Sequence, residues 1–96
     1  MGEKIEVENV NHPGQISRVD AARYQAVKAA MLSVLPEGAP GISAAEMKDR
    51  MRPRLEEMFP GGEKLGWWQK TVQLDLEAKG LVQRQTTKPL TFFRAP

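Results

Sequence analysis

Apolar side chains recur every three to four residues in three separate segments of the chain, a spacing typical of one buried helix face. In the first segment these residues are Tyr24, Val27, Met31, Val34 and Leu35. Ser17 and Asp20 precede the segment in a capping-box-like arrangement, and either side chain could cap the helix. The proline- and glycine-rich residues 36–41 are expected to end it.

The second segment carries the clearest helix start in the chain. Ser43 and Glu46 have the S-x-x-E spacing of a capping box, in which two side chains bond backbone amides that a helix start leaves free. The apolar face of this helix comprises Met47, Met51, Leu55, Met58 and Phe59. Pro53 lacks a backbone donor, so we expect it to kink or break the helix after Arg52.

The third segment and the residues after it predict a helix, a stop and a β-hairpin. The helix is expected at residues 64–79 and ends at Gly80, since glycine adopts the left-handed conformation of a helix C-terminus without steric cost. Residues 81–85 and 90–94 are rich in β-forming side chains, and the turn-like residues 86–89 separate them. We therefore expect two antiparallel strands after the third helix.

The first sixteen residues differ from the rest of the chain because they are mostly polar. Ile5, Val7 and Val10 are scattered apolar positions, and a turn-like H-P-G cluster follows at residues 12–14. This composition predicts a partly extended N-terminal arm at residues 1–16. Residues 17–96 are expected to form one domain, since 96 residues suffice for a single modest core.

Three helices followed by a two-stranded wing resemble the winged helix-turn-helix domain over residues 17–94. Residues 76–82, L-E-A-K-G-L-V, are similar to the L-E-x-x-G-L-[IV] junction between recognition helix and wing in many bacterial regulators. The resemblance implies a mainly α, three-helix winged helix-turn-helix fold with a small β-hairpin. It also implies DNA binding and transcription regulation in the cytoplasm. With G-W-W at residues 66–68, the chain further resembles a family of short bacterial winged-helix proteins of unestablished function.

The charge of the chain is unevenly distributed along the sequence. There are 14 Lys and Arg against 12 Asp and Glu, a net charge of only +2. From residue 64 onward six basic residues accompany just two acidic ones, Asp75 and Glu77. The third helix and the hairpin therefore hold the positive end, which favours a polyanionic partner without requiring one.

Candidate DNA contacts lie in this basic part of the chain. Glutamine can recognise adenine edges, and lysine can reach guanine or phosphate. The candidates on the third helix are Gln69, Lys70, Thr71 and Gln73. Phosphate contacts are expected from Lys64, Arg84, Lys88 and Arg94. The predicted partner is double-stranded DNA, unless these side chains simply form a solvated helix face.

The third helix also has a second apolar stripe. Leu65, Trp68, Val72 and Leu76 form one stripe, and the roughly opposite stripe comprises Trp67, Leu74 and Ala78. Trp68 is expected in the core. Trp67 and Leu74 would then pack on the arm or contact a partner, because exposed tryptophan is enriched at binding hot spots. The alternative function is therefore a protein interaction module or a homo-oligomer that uses the Trp67/Leu74 stripe.

Other side chains offer little catalytic or metal-binding chemistry. The chain has no cysteine, and His12 is the single histidine, so no zinc site, metal or cofactor is expected. Tyr24 is expected to pack in the core with its hydroxyl at the surface. No nucleophile, base and oxyanion donors can be assembled, so the protein is not expected to be an enzyme.

The sequence also shows no membrane-targeting pattern. The longest apolar stretch, residues 26–35, is interrupted by Lys28 and Ser33 and is shorter than the about 20 residues of a membrane helix. The first residues lack the basic-then-apolar order of a secretory signal. A cytoplasmic location is therefore expected.

Overall fold

The protein is described by a computed structural model that covers residues 2–95. Met1 and Pro96, the outer ends of the predicted arm and domain, lie outside the described residues. The described residues form β1 (Lys4–Glu8), β2 (Ile16–Asp20), α1 (Ala21–Val34), β3 (Ile42–Ser43), α2 (Ala44–Met51), α3 (Leu65–Ala78), β4 (Val82–Gln85) and β5 (Thr91–Arg94). Two short 3-10 turns, Arg52–Arg54 and Pro60–Gly62, lie between α2 and α3.

Capping side chains fix where the first two helices begin. Asp20 caps α1, because its carboxylate accepts a hydrogen bond from the Arg23 amide at 2.9 Å. Ser43 caps α2 in the same way, with its hydroxyl accepting from the Glu46 amide at 3.1 Å. The predicted start of the second helix is thus confirmed, and of the two capping candidates for the first helix it is Asp20 that serves.

Proline and glycine determine where the helices end. Pro53 lies in the 3-10 turn that directly follows Met51, so α2 breaks at the predicted proline. The expectation that Leu55, Met58 and Phe59 belong to its apolar face is wrong, because they lie beyond the end of α2, and Met58 is 38% exposed. Gly80 has a φ of 78°, a conformation that favours glycine. Its amide donates to the Glu77 carbonyl at 3.1 Å, and the next amide, Leu81, donates to Leu76 at 2.9 Å. These two bonds form a Schellman motif that ends α3.

Within residues 2–95 the strands form two separate antiparallel sheets. One has the order β3-β5-β4, with Val82 opposite Arg94 and Ile42 opposite Phe92, so the hairpin predicted after the third helix is present. The other is the hairpin of β1 and β2, in which Val7 lies opposite Ser17. This N-terminal hairpin packs against α1 and α3.

The expectation of a mainly α, three-helix winged helix-turn-helix fold is wrong for this chain. Residues 2–95 form three α-helices and five strands in two sheets, a small α+β domain. The difference arises at the N-terminus, where Val7 and Val19, which are 4% and 8% exposed, join the hydrophobic core. Strands β1 and β2 have few apolar residues, so their sequence resembles a polar arm although one face is buried.

The core lies between the three helices and the inner faces of both sheets. Its fully buried side chains come mainly from the helices: Tyr24, Val27, Met31, Met47, Met51, Leu65, Val72 and Leu76. Among residues 2–95, no helix combines the length and the apolar composition that a membrane crossing requires. In the same residues, no group of three or more His, Cys, Asp or Glu side chains could hold a metal ion.

Candidate functional site

Helix α3 presents three kinds of side chain to its surroundings. Its core face carries Leu65, Trp68, Val72 and Leu76, all buried as the sequence predicts. On the outer face, Trp67 and Lys70 are exposed, and they lie next to each other one helical turn apart. Between these two surfaces of α3, one flank contacts the N-terminal hairpin and the other contacts α2. The charged and polar side chains on these two flanks set the charge beside the outer face.

Asp75 is a fully buried carboxylate on the flank of α3 that faces the N-terminal hairpin. It accepts hydrogen bonds from the Glu8 amide of β1 at 2.9 Å and from the Tyr24 hydroxyl of α1. Its charge is balanced by Lys79, whose Nζ lies 2.8 Å from Oδ1. Asp75 therefore joins β1, α1 and α3, and its negative charge is paired within the protein.

The Tyr24 hydroxyl is buried, which corrects the expectation that it reaches the surface. The side chain is 1% exposed, and its oxygen donates to Asp75 instead of to water. Burial, followed by the hydrogen bond and the charge of Asp75, raises the pKa of Tyr24 above its usual range. The pairing could not be expected from the sequence because 51 residues separate Tyr24 from Asp75.

Glu77, the other acidic residue of α3, is also paired. Its side chain is 5% exposed and accepts two hydrogen bonds from Arg84 of β4, at 2.7 Å from Nε and 2.8 Å from Nη2. The hydrogen bond with Glu77 raises the pKa of the Arg84 guanidinium. Both acidic side chains of α3 are thus neutralised by a basic neighbour, and neither faces solvent as a free charge.

A groove of about 460 Å³ lies between α3, the start of α2 and the three-stranded sheet. We call it the basic groove. Its cationic lining residues are Lys48, Lys70 and Arg84. Its amide-bearing lining residues are Asn11, Gln69 and Gln73, and its small or apolar ones are Ala44, Ala45, Gly66, Leu74, Leu90 and Phe92. In the part of the chain that the structure describes, no acidic side chain lines it.

Two of the groove cations hold no ion pair with any residue that the structure describes. Within residues 2–95, the salt bridges include Arg84 but neither Lys48 nor Lys70. Lys48 reaches across to α3, since its Nζ lies within ordinary contact, 3.5 Å, of the position that a β-carbon at Gly66 would take. Lys70 is exposed on the outer face of α3. The groove therefore has a positive rim and an apolar floor, a combination that suits an anionic ligand with flat or apolar groups.

The predicted base-recognising glutamines are not available at the surface. Gln69 and Gln73 are 5% and 7% exposed. The Gln69 amide donates to the Ala44 carbonyl at 2.8 Å, and the Gln73 amide lies 3.5 Å from the Glu77 carboxylate. Helical spacing places both residues on the side of α3 that contacts α2 and the sheet, so their side chains bond other groups of the protein. Their amides are therefore largely shielded from solvent and bonded to groups within the protein.

The other predicted contacts are spread over several surfaces. Lys70 lines the basic groove and Thr71 is half-buried beside the N-terminal hairpin. Lys64 is exposed at the start of α3 but lines a different cavity, together with Trp68. Lys88 is exposed in the β4–β5 turn, whereas Arg94 donates to the Leu35 carbonyl at 3.1 Å. Of the predicted cationic contacts among the described residues, Lys70 and Arg84 are brought together in the groove, whereas Lys64, Lys88 and Arg94 are not.

Lys48 is a groove residue that the sequence pattern did not single out. It lies on α2, outside the basic region that begins at residue 64. The signal that could have found it is the capping box, which fixes the start of α2 and places Lys48 about 100° from the core-facing Met47. Its proximity to α3 depends on how the two helices pack, which the sequence does not state.

Trp67 and Leu74 have different environments although they share one stripe. Trp67 is 58% exposed, and Leu74 is 8% exposed. Both line a small cavity of about 130 Å³ beside Val7 and Val19 of the N-terminal hairpin. The Trp67 ring packs edge-to-face on Trp68, with ring centroids 5.2 Å apart and an interplanar angle of 84°. Trp67 is therefore a large aromatic surface held in place beside the N-terminal hairpin.

Comparison with known proteins places the chain in a family without assigning it an activity. A model described as a family of unknown function (DUF6958) matches residues 4–92, and the chain belongs to this family. No curated protein and no solved structure matches the chain. Family membership carries no chemistry of its own, so a function has to follow from the basic groove and the outer face of α3.

Proposed function

We propose that this member of the family binds DNA through the basic groove, by contacts to phosphates and not to base edges. The observation that supports the proposal is the charge of the groove, which Lys48, Lys70 and the ion-paired Arg84 line and, among the described residues, no acidic side chain lines. Phosphate contacts of this kind supply most of the affinity in binding that does not depend on sequence. The burial of Gln69 and Gln73 is consistent with such a mode.

The pairing of the α3 carboxylates removes an obstacle to this function. A free acidic side chain beside the groove would repel a phosphate backbone. Asp75 is held by Lys79 at 2.8 Å and Glu77 by Arg84 at 2.7 Å. The cationic character of Lys48 and Lys70 is therefore not offset by the acidic residues of the same helix. The protein proposed here is a non-enzymatic, cytoplasmic DNA-binding protein with a role in transcription.

Binding of fluorescein-labelled mixed-sequence duplex DNA, followed by anisotropy, tests the proposal. We expect Lys48→Ala and Lys70→Ala each to weaken binding and to reduce the salt slope by about 1, since each removes one phosphate contact. Lys4→Ala is the matched control, because Lys4 lies at the opposite end of β1 from the hairpin loop that supplies Asn11 to the groove. Equal affinities for all three variants and the unmodified protein would contradict the proposal.

A second candidate function is a protein interaction or self-association through Trp67. The observation that favours it is the 58% exposure of this large aromatic side chain. Exposed tryptophans of this kind often anchor protein interfaces. Sedimentation velocity distinguishes it from DNA binding: a homo-oligomer that becomes monomeric in Trp67→Ala supports self-association, whereas a monomer at all concentrations contradicts it. Leu74 contributes little to such an interface, because it is already buried.

A further inference from the structure

We infer that the preferred nucleic acid is single-stranded, with an unpaired base stacked on Trp67 and the neighbouring phosphates held in the basic groove. The inference rests on the proposed function and deepens it by naming the form of the ligand. Single-stranded DNA and single-stranded RNA share the features that this site would recognise, namely a chain of phosphates and bases whose faces are free to stack. Three features of the outer face of α3 support it.

The first feature is the position of an aromatic platform beside unpaired cations. Trp67 and Lys70 are one helical turn apart, so their side chains are neighbours on the helix surface. Lys70 lines the basic groove, and Leu74 lines both that groove and the small cavity to which Trp67 contributes. The aromatic surface and the groove are therefore contiguous along α3. Single-strand binders combine aromatic platforms and a basic groove in this way.

The second feature is that the Trp67 ring is exposed and positioned in advance. It is 58% exposed, and its edge-to-face contact with Trp68 restricts how it can turn. A ring held in this way loses little conformational freedom when a base stacks on it, so binding is favoured. A duplex cannot use the ring in this way without unpairing, because its base faces are already stacked on each other.

The third feature disfavours recognition of a duplex. A helix that reads the major groove needs polar side chains free to reach base edges. The two glutamines of α3 that could do this are 5% and 7% exposed. In addition, the N-terminal hairpin lies along the side of α3, where the Glu8 amide bonds Asp75 at 2.9 Å. The hairpin limits how deeply α3 could enter a groove of double-stranded DNA.

The test compares a 12-nucleotide oligo-dT, an oligo-U of the same length and a mixed-sequence duplex, using labelled-strand anisotropy at low salt. We expect either single strand to bind at least about tenfold more tightly than the duplex. Trp67→Ala should weaken single-strand binding about tenfold, the effect of losing one stacked base, while Trp67→Phe retains most of it. The ratio between oligo-dT and oligo-U then identifies DNA or RNA as the better ligand.

Several results would separate the failure of this inference from the failure of the proposed function. Duplex binding equal to or tighter than single-strand binding, or unchanged affinity in Trp67→Ala, overturns the inference. If Lys70→Ala still weakens that duplex binding, the proposed function stands. No binding of any of the three nucleic acids at low salt overturns both. Circular dichroism of Trp67→Ala controls for folding, and we expect a native spectrum because the side chain is mainly exposed.

Discussion

The carboxylate of Glu77 and the guanidinium of Arg84 form a two-point ion pair that joins α3 to β4. The two hydrogen bonds measure 2.7 Å and 2.8 Å, and the side chains are 5% and 30% exposed. Such parallel bonds fix the orientation of the arginine as well as neutralising the acid. The pair therefore sets how much of the positive charge of Arg84 is felt in the basic groove.

Removing the charge of Glu77 tests this role. In Glu77→Gln the guanidinium keeps its position but loses its anionic partner, so the groove becomes more positive. We expect DNA binding to strengthen by about 0.5 kcal/mol, a screened charge effect. Stability should fall by about 1 to 2 kcal/mol, because a hydrogen-bonded charge loses its partner. Anisotropy titrations and urea unfolding measure the two effects.

The control for this variant is Glu63→Gln. It removes the same charge from an exposed residue that holds no ion pair among the described residues. Glu63 lines the cavity at the start of α3 and not the basic groove. A gain in affinity of equal size in both variants would show that only net charge matters and that the Glu77–Arg84 pair has no special role.

The Tyr24 hydroxyl gives stability a distinctive dependence on alkaline pH. Because burial and Asp75 raise the pKa of Tyr24 in the folded state, the folded protein retains this proton where the unfolded chain loses it. This contribution is complete below the ordinary tyrosine pKa of about 10 and is lost as the pH rises beyond it. Urea unfolding between pH 8 and pH 11 should therefore show a steeper loss of stability in the unmodified protein than in Tyr24→Phe.

At neutral pH, Tyr24→Phe should be less stable by about 1 to 3 kcal/mol, since Asp75 loses one hydrogen-bond donor in a buried site. The comparison between the two proteins cancels the titration of lysines that both contain. Parallel stability curves above pH 10 would show that the hydroxyl is not held by Asp75 in solution.

Asp75 should hold the N-terminal hairpin on the body of the domain. In Asp75→Ala the Glu8 amide loses its acceptor and the buried Tyr24 hydroxyl loses its partner. We expect a loss of about 3 kcal/mol of stability. Hydrogen exchange at the Glu8 amide should become at least about tenfold faster. This increase should exceed the increase at the α2 amides, which report the loss of overall stability. Asp49→Ala, on the exposed side of α2, is the control and should change neither quantity.

Lys64 has a backbone conformation that glycine adopts more easily. Its φ is 64° and its ψ is 2°, in the left-handed region, directly before α3. This conformation costs a non-glycine residue about 1 to 2 kcal/mol, which glycine avoids. Glycine, however, has more freedom in the unfolded chain, and this offsets about 0.5 to 1 kcal/mol of the gain. Thermal unfolding should show Lys64→Gly to be more stable by about 0.5 kcal/mol. Lys64→Ala keeps the β-carbon, so an equal gain there would refute the explanation.

Local signals in the sequence predict much of this fold. Ser43 and Pro53 mark the two ends of α2, and Gly80 marks the end of α3, because capping and backbone geometry depend on a few neighbouring residues. The burial of Trp68 also follows from helical spacing. Val7 illustrates where this approach fails. Its strand has too few apolar neighbours to reveal its pairing with β2.

The candidate site is less predictable because it depends on tertiary contacts. Nothing near Asp75 in the sequence indicates that Tyr24 and Glu8 bond it, since both lie more than fifty residues away. In the same way, Gln69 is buried where α3 packs against α2, and its amide donates to the carbonyl of Ala44 on that helix. Residue type alone predicts a surface glutamine, and it is helix packing that decides otherwise.

The salt dependence of DNA binding tests the central claim most directly. We would titrate the unmodified protein with labelled mixed-sequence duplex DNA and with a single strand at several salt concentrations. With Lys48 and Lys70 as the groove cations that hold no ion pair among the described residues, the logarithm of the association constant should fall linearly with the logarithm of salt concentration, with a slope of about −2 for the duplex and about −1.4 for the single strand. The absence of binding at low salt, or binding that salt does not weaken, would contradict the assignment of the basic groove to nucleic acid.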